Sequence, residues 1–173
     1  QKQEQITHES LLQTYTNGLL NGILPYNVSE EWEFFLQYIR ASPQFKPYRT
    51  EWTIYHEELK IAGSIDMVYE NPDGSLSIYD WKRAKEITKT NMFKKYAITE
   101  EIAYLPDTNF WHYSLQLNTY KAIIEQKYGK NVKDLYLVRL HPSNPRKTFE
   151  LIKCADLSKE INILFELRRK EIQ

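Results

Sequence analysis

Two short runs rich in β-branched and aromatic residues, Gly63-Ser64-Ile65-Asp66-Met67-Val68-Tyr69 and Leu76-Ser77-Ile78-Tyr79-Asp80-Trp81-Lys82, flank the tetrapeptide Asn71-Pro72-Asp73-Gly74. Runs of strand composition on either side of Pro-Asp-Gly turn chemistry define a β-hairpin. A turn centred near Asp73 sets Asp66 opposite Asp80 to within a residue, with Cβ atoms about 4.5–5.5 Å apart. Like charges placed so close repel, and a divalent cation is the simplest reason for a chain to keep them. Because side chains alternate along a strand, Asp80 and Lys82 share a face while Trp81 points to the other. Two carboxylates and an ammonium therefore converge on one spot.

Oxygen ligands of this kind suit magnesium or manganese. Zinc would draw on a single cysteine, Cys154, and four scattered histidines. The expected chemistry is phosphate-ester hydrolysis, in which the cation polarises a phosphoryl oxygen and acidifies a bound water. Lys82 then orients that water or neutralises developing negative charge. The backbone carbonyl of Trp81, between the two side chains, offers a further ligand. The plain alternative is a surface hairpin whose two acids are simply solvated.

Gly-x-Ile-Asp, a short hairpin and Ile-x-Asp-x-Lys resemble the core signature of the PD-(D/E)XK nucleases, with Asp66, Asp80 and Lys82 in the three family positions. Within that superfamily the chain is most similar to the RecB-type and Cas4-type branch. Such relatives add a histidine on an N-terminal helix, an acid on the strand before the hairpin and a Gln-x-x-x-Tyr helix after it. The matching residues are His8, Glu51 and Gln116-Leu117-Asn118-Thr119-Tyr120, in the same order along the chain. The resemblance implies that His8 completes the metal sphere. It leaves Glu51 to bind metal directly, to act through water or to hold a basic group, beside the plain reading of an exposed strand glutamate. Gln116 and Tyr120 are implied to sit beside the catalytic centre and to contact DNA or metal-bound water. Many Cas4-type relatives carry an iron–sulfur cluster on four cysteines; with Cys154 alone, this chain cannot hold one by itself.

The 173 residues suit a single domain, with residues 1–47 as an N-terminal helical part and 48–173 as the nuclease core. One cysteine excludes an internal disulfide framework and fits a reducing compartment. Formal net charge is zero, yet Lys82 to Lys95 holds six basic residues, Lys82, Arg83, Lys85, Lys89, Lys94 and Lys95, against the single acid Glu86. With Phe93 and Tyr96 interleaved, this run can follow a phosphate backbone and stack a base; the alternative is a solvated loop or helix face. No apolar run reaches the roughly 18–20 residues of a membrane span. The expected location is intracellular and cytoplasmic, or the host cytoplasm if the source is viral. An abundance of Tyr, Ile, Asn and Lys fits a giant virus or another AT-rich genome.

The remaining periodicities place helices up to about Asn21 (Leu12, Tyr15, Leu19), over Glu30–Arg40 after the N-cap Ser29 (Trp32, Phe35, Leu36, Ile39), over Trp111–Tyr128 before Gly129 (Tyr113, Leu117, Tyr120, Ile124), and from Leu157 to about Ile172 (Ile161, Leu164, Phe165, Leu167). His112, Gln116 and Tyr120 recur every four residues, a face able to look into a cleft. Strands are expected over Tyr48–Ile61, Asp134–Leu140 and Lys147–Cys154, the last two joined through Pro142 and Pro145, and Ala97–Phe110 reads as a loop or lid. Arg168, Arg169 and Lys170 suit the dipole of the last helix or a secondary DNA contact. The order is the mixed α/β core that the resemblance implies: helix, three antiparallel strands, helix, strand, with added helices. The implied function is a metal-dependent deoxyribonuclease, an exonuclease acting on DNA ends or single strands. Alternatives are a silent nucleic-acid or protein-binding module and a structure-specific endonuclease. DNA is the expected partner, with a homo-oligomer and a helicase or other DNA-processing partner left open, and no membrane.

Overall fold

The central hairpin forms in the register its turn chemistry dictates. In the computed structural model, which describes residues 30–41, 45–89 and 99–173, strand β2 (Ile61–Glu70) returns antiparallel as β3 (Leu76–Lys82). Met67 lies opposite Tyr79 and Glu70 opposite Leu76. The turn is built by side chains that imitate backbone partners. Asp73 Oδ1 accepts from the Ser75 amide at 2.9 Å and hydroxyl at 2.6 Å, and Gly74 supplies the left-handed conformation at φ +84°.

Strand β1 (Lys46–His56) lies antiparallel to β2, and the chain turns at residues 57–60 before β2 begins. The single strand expected over Tyr48–Ile61 is thus two strands and a turn. Lys60 holds the turn at φ +52°, and His56 Nδ1 accepts from the Leu59 amide. Helix α1 (Glu30–Ala41) buries Phe34, Phe35 and Tyr38, so two of its three deepest residues lie beside the expected stripe of Phe35, Leu36 and Ile39.

After β3 the chain crosses through helix α2 (Asn109–Lys127) to strand β4 (Val132–Arg139), which runs parallel to β3. A parallel pair requires such a crossover. Gly129 at φ +64° ends the connection from the helix. Strand β5 (Glu150–Lys153) returns antiparallel to β4, and helix α3 (Ser158–Ile172) closes the chain. β5 is shorter than expected because residues 140–149 are used by the loop around Pro142 and Pro145. The sheet order is β1-β2-β3-β4-β5.

Each face of the sheet carries its own core. Ile54, Val68, Ile78 and Leu137 pack with Leu117, Ile124 and Phe165 of α2 and α3, while Met67, Tyr79, Trp81 and Val138 pack with Phe35 and Tyr38 of α1. Strand alternation breaks at one place. Ile65 belongs to the α2 side and Met67 to the α1 side, although residues two apart on a strand should share a face. The residue between them is Asp66. Opposite it, between the pairs Thr50 with Met67 and Trp52 with Ile65, stands Glu51 at φ +45°. The change of phase lets consecutive residues Ile65 and Asp66 both serve the α2 side.

Among the described residues no helix is long and apolar enough to cross a membrane. The expected N-terminal helix with His8, and Lys94 and Lys95, lie outside the described residues. Arg168 donates to the Leu59 carbonyl at 3.0 Å and pairs with Glu171, and Arg169 pairs with Glu166, so these cations are engaged within the fold.

Asn118, 2% exposed, fastens α2 to the connection between β5 and α3. Its amide donates to Ser114 O at 2.7 Å and Ala155 O at 2.8 Å, and its carbonyl accepts from Leu157 N at 3.0 Å. Asn118→Leu keeps the branching at Cγ, adds some volume and strands buried backbone groups. The expected loss is about 3 kcal/mol in a denaturant titration; a loss under about 1 kcal/mol would mean that water takes over these bonds.

Candidate active site

Asp80 and Lys82 sit at the carboxyl end of β3, on the face covered by α2, and Asp66 reaches them from β2 where the alternation breaks. The β2–β3 ladder ends at Met67–Tyr79. Beyond it the Trp81 amide donates to the Asp66 carboxyl, 3.0 Å from Oδ2. The Asp66 and Asp80 carboxyls are themselves hydrogen-bonded, and Lys82 Nζ lies 2.7 Å from Asp80 Oδ2. That approach falls outside hydrogen-bond angles, so this buried oxygen is ion-paired without a well-directed donor.

The electrostatics follow from burial. Desolvation first, then the hydrogen bond and charge of Asp80, push the Asp66 pKa up from 3.8 to about 9, against the pull of the Trp81 amide and Lys82. Burial works against the Lys82 ammonium, but the charges of Asp80 and Asp66 outweigh it and hold its pKa above the usual lysine value. Lys82 is a fixed cation at neutral pH.

Helix α2 completes the row. Gln116 Oε1 accepts from Lys82 Nζ at 3.4 Å, and Gln116 is hydrogen-bonded to Tyr120, whose hydroxyl is kept protonated by burial and by the charge of Asp80. Asp66, Asp80, Lys82, Gln116 and Tyr120 are thus brought together. Two further features were not legible as parts of the site. Lys82 Nζ stands 4.4 Å from the centre of the Tyr113 ring, a cation–π contact; Tyr113 precedes Gln116 by one helical turn, and that spacing was the signal that could have found it. Gly63 lies beneath Tyr120: a Cβ there would come within 2.2 Å of Tyr120 Cε1. The glycine is what lets the ring settle on β2.

The other expected site residues are placed apart. Glu51 is exposed, with its backbone opposite Asp66. His112 pairs with Asp107 at 2.6 Å. The Trp81 indole turns away to the α1 core, 4.9 Å from the Phe35 ring. Arg83, Lys85 and Lys89 are exposed along the segment that leaves β3. Cys154 is buried in the core on the α2 side of the sheet, and its thiol pKa is pushed up to about 12 by desolvation, an inert group.

Two carboxyls in contact, Asp80 buried and Asp66 half-buried, one with an oxygen lacking a directed donor, fit a hard divalent cation, which prefers oxygen. Among the described residues no cluster of three or more His, Cys, Asp or Glu side chains forms, so Asp66 and Asp80 gain no third ligand of those four types there.

A mixed five-stranded sheet with helices on both faces, and an Asp, Asp, Lys set at the end of a hairpin beside a parallel crossover, define a nuclease core of α/β type. The model of the PD-(D/E)XK nuclease superfamily matches residues 2–171, and the chain belongs to that superfamily. No curated protein matches it. Among solved structures, a candidate exonuclease from Eubacterium rectale is similar at a TM-score of 0.55 and 15% identity, over 96% of this chain and 66% of that one. A repair endonuclease from Pyrococcus abyssi is similar at a TM-score of 0.35 and 21% identity, over 81% of this chain and 45% of that one. A complex of EndoMS with double-stranded DNA is similar at 0.36 and 19% identity, over 65% and 37%. The chain thus spans just under two thirds of the first of these and under half of the others.

Two outcomes follow from the geometry. Between pH values near 3.8 and about 9 the folded Asp66 retains a proton that the unfolded chain has released, so this group's contribution to stability falls as pH rises. A cation must displace that proton, so its affinity rises across the same window. In EDTA the Tm of the parent should fall towards alkaline pH more than that of Asp66→Asn, while the increase produced by manganese should grow with pH and vanish in the variant. Equal slopes for the two proteins would contradict the assignment. For Gly63→Ala, displacement of the Tyr120 ring should lower stability by about 1–3 kcal/mol, and much less in a Tyr120→Ala background; additivity of the two changes would break the link.

Proposed function

We propose that residues 1–173 form one nuclease domain of the RecB and Cas4 type, a divalent-metal-dependent deoxyribonuclease acting on DNA ends or single strands. The observation that carries this reading is the hydrogen-bonded pair Asp66–Asp80 beside the Lys82 cation, joined to Gln116 and Tyr120 in one row. A binding module has no need of opposed carboxyls in a partly buried site, which weaken the fold unless a cation joins them.

Asp66 and Asp80 would hold magnesium or manganese, with His8 and the Trp81 carbonyl as further nitrogen and oxygen donors, and Glu51, exposed and in no cluster with the two carboxyls, acting through water. Such a cation polarises a phosphoryl oxygen and lowers the pKa of bound water. The chain's own residues do the rest. Lys82, charged at neutral pH, donates hydrogen bonds and neutralises charge rather than accepting a proton. Gln116 fixes the direction of the ammonium by accepting from it. Tyr113 covers the same ammonium with its ring face, which limits the positions open to it without removing its charge. Tyr120 keeps its proton and so presents a donor to a phosphate oxygen or a water beside Asp80. Arg83, Lys85, Lys89, Lys94 and Lys95 would bind the phosphates on either side of the scissile bond. The candidate exonuclease among the similar structures fits this reading.

End-labelled linear DNA and sealed circles, single-stranded and duplex, should be incubated with magnesium, manganese or EDTA. The parent should degrade linear DNA only with metal, and Asp80→Ala and Lys82→Ala should each fall at least about a hundredfold in rate, the scale of one electrostatic contact to developing charge. Cutting of circles would make the enzyme an endonuclease at the same site. A folded parent that cuts nothing with either metal sinks the catalytic reading.

A further inference from the structure

The loop between β4 and β5, residues 140–149, begins where Lys82 ends. Leu140 N donates to the Lys82 carbonyl at 2.9 Å, and Lys82 stands opposite Arg139 in the parallel register. Arg139, 7% exposed, is the joint. Its Nε bonds Glu150 at 2.9 Å, and its Nη1 donates to the carbonyls of Lys85 at 2.7 Å and Ala84 at 3.3 Å. Ser143 Oγ, in the loop, donates to the same Lys85 carbonyl at 2.7 Å. The segment leaving β3 and the β4–β5 loop are therefore stitched together through backbone carbonyls, and their outer side chains face solvent.

Both pieces are pre-formed. On the segment side Asn109 donates to Glu86 O and accepts from Thr88 N, and the Trp111 indole donates to Lys89 O. On the loop side the buried Asn144 bonds Thr148 O and the Arg146 amide, and Pro142 and Pro145 restrict the backbone. The exposed side chains that this frame presents are Arg83, Lys85 and Lys89 on one piece and Arg146 and Lys147 on the other. Lys147 Nζ donates to the Pro142 carbonyl at 2.7 Å, which steadies the ammonium and leaves two of its three donors for a ligand. The acids of the region are Glu86, exposed on the segment, and Glu150, already paired with Arg139.

We propose that the β4–β5 loop is a second wall of the substrate groove, in which Arg146 and Lys147 bind backbone phosphates of the same nucleic-acid strand that the segment after Lys82 engages. This rests on the deoxyribonuclease reading. A frame already ordered before binding gives up little conformational entropy when phosphates arrive, which favours a cationic ledge built on backbone stitching over one built on mobile side chains. Its place at the carboxyl ends of the parallel pair β3–β4 is also where open α/β sheets bind ligands.

The test is binding of a fluorescent single-stranded oligonucleotide to the full chain in EDTA, where no cleavage occurs, as a function of salt. For a single strand, each phosphate that the protein no longer neutralises makes the slope of log K against log salt shallower by about 0.7. The double variant Arg146→Gln, Lys147→Gln should therefore show a slope smaller by about 1.4 and a Kd several-fold higher at moderate salt. Lys121→Gln, Lys133→Gln, which removes the same charge near the opposite end of β4, should leave the slope unchanged. An unchanged slope in the loop variant, or an equal drop in both variants, overturns the proposal while leaving a nuclease that still cuts. A folded parent that neither binds nor cuts DNA removes the deoxyribonuclease reading itself.

Discussion

Everything at the site depends on the contact between Asp66 and Asp80. Two carboxyls in a partly buried hydrogen-bonded pair cannot both ionise cheaply, and the chain answers with one proton on Asp66, one ammonium on Lys82 and an oxygen of Asp80 left without a directed donor. The arrangement is poor as a structural ion pair. It makes sense as a seat for a cation, which would replace the shared proton and engage the oxygen that lacks a directed donor.

The fold is bent locally to make that contact. A regular β2 would carry Ile65 and Met67 on one face and Asp66 on the other. The phase change at the Glu51 and Asp66 positions, marked by the positive φ of Glu51, delivers Asp66 to the α2 side while the adjacent pairs Thr50–Met67 and Trp52–Ile65 keep one register. Helix α2 then approaches β2 closely enough for Tyr120 to lie on Gly63. The Tyr113, Gln116 and Tyr120 face is held over Asp80 and Lys82 by a core of Leu117, Ile123 and Ile124 beneath it. Positions that must be rigid are thus attached to the best-packed elements, and the cationic segments hang from the strand ends.

Much of this was legible in the residues. The turn chemistry of Pro72, Asp73 and Gly74 set the register, and the register set the opposed acids. Helix α2 was clear from its period and from Gly129. What could not be read were features that depend on two elements meeting. The positive φ of Glu51 is invisible in a glutamate. The approach of Tyr120 to Gly63 needs the helix–sheet distance, and Arg139 reads as one more strand residue until the segment after Lys82 folds back on it. The strand expected over Tyr48–Ile61 ran through a turn because Glu57, Glu58 and Lys60 carry no strong turn signature of the Gly, Pro or Asn kind. The metal role proposed for His8 rests on the family pattern alone, since that residue lies outside the described ones.

The most direct test of the central idea is a crystal grown with manganese and measured for anomalous scattering. A peak within coordinating distance of both the Asp66 and Asp80 carboxylates, about 2.0–2.3 Å from oxygen as for hard divalent cations, is the predicted result. A map from manganese-soaked crystals with no peak there, and the two carboxyls still sharing their hydrogen bond, would contradict the account.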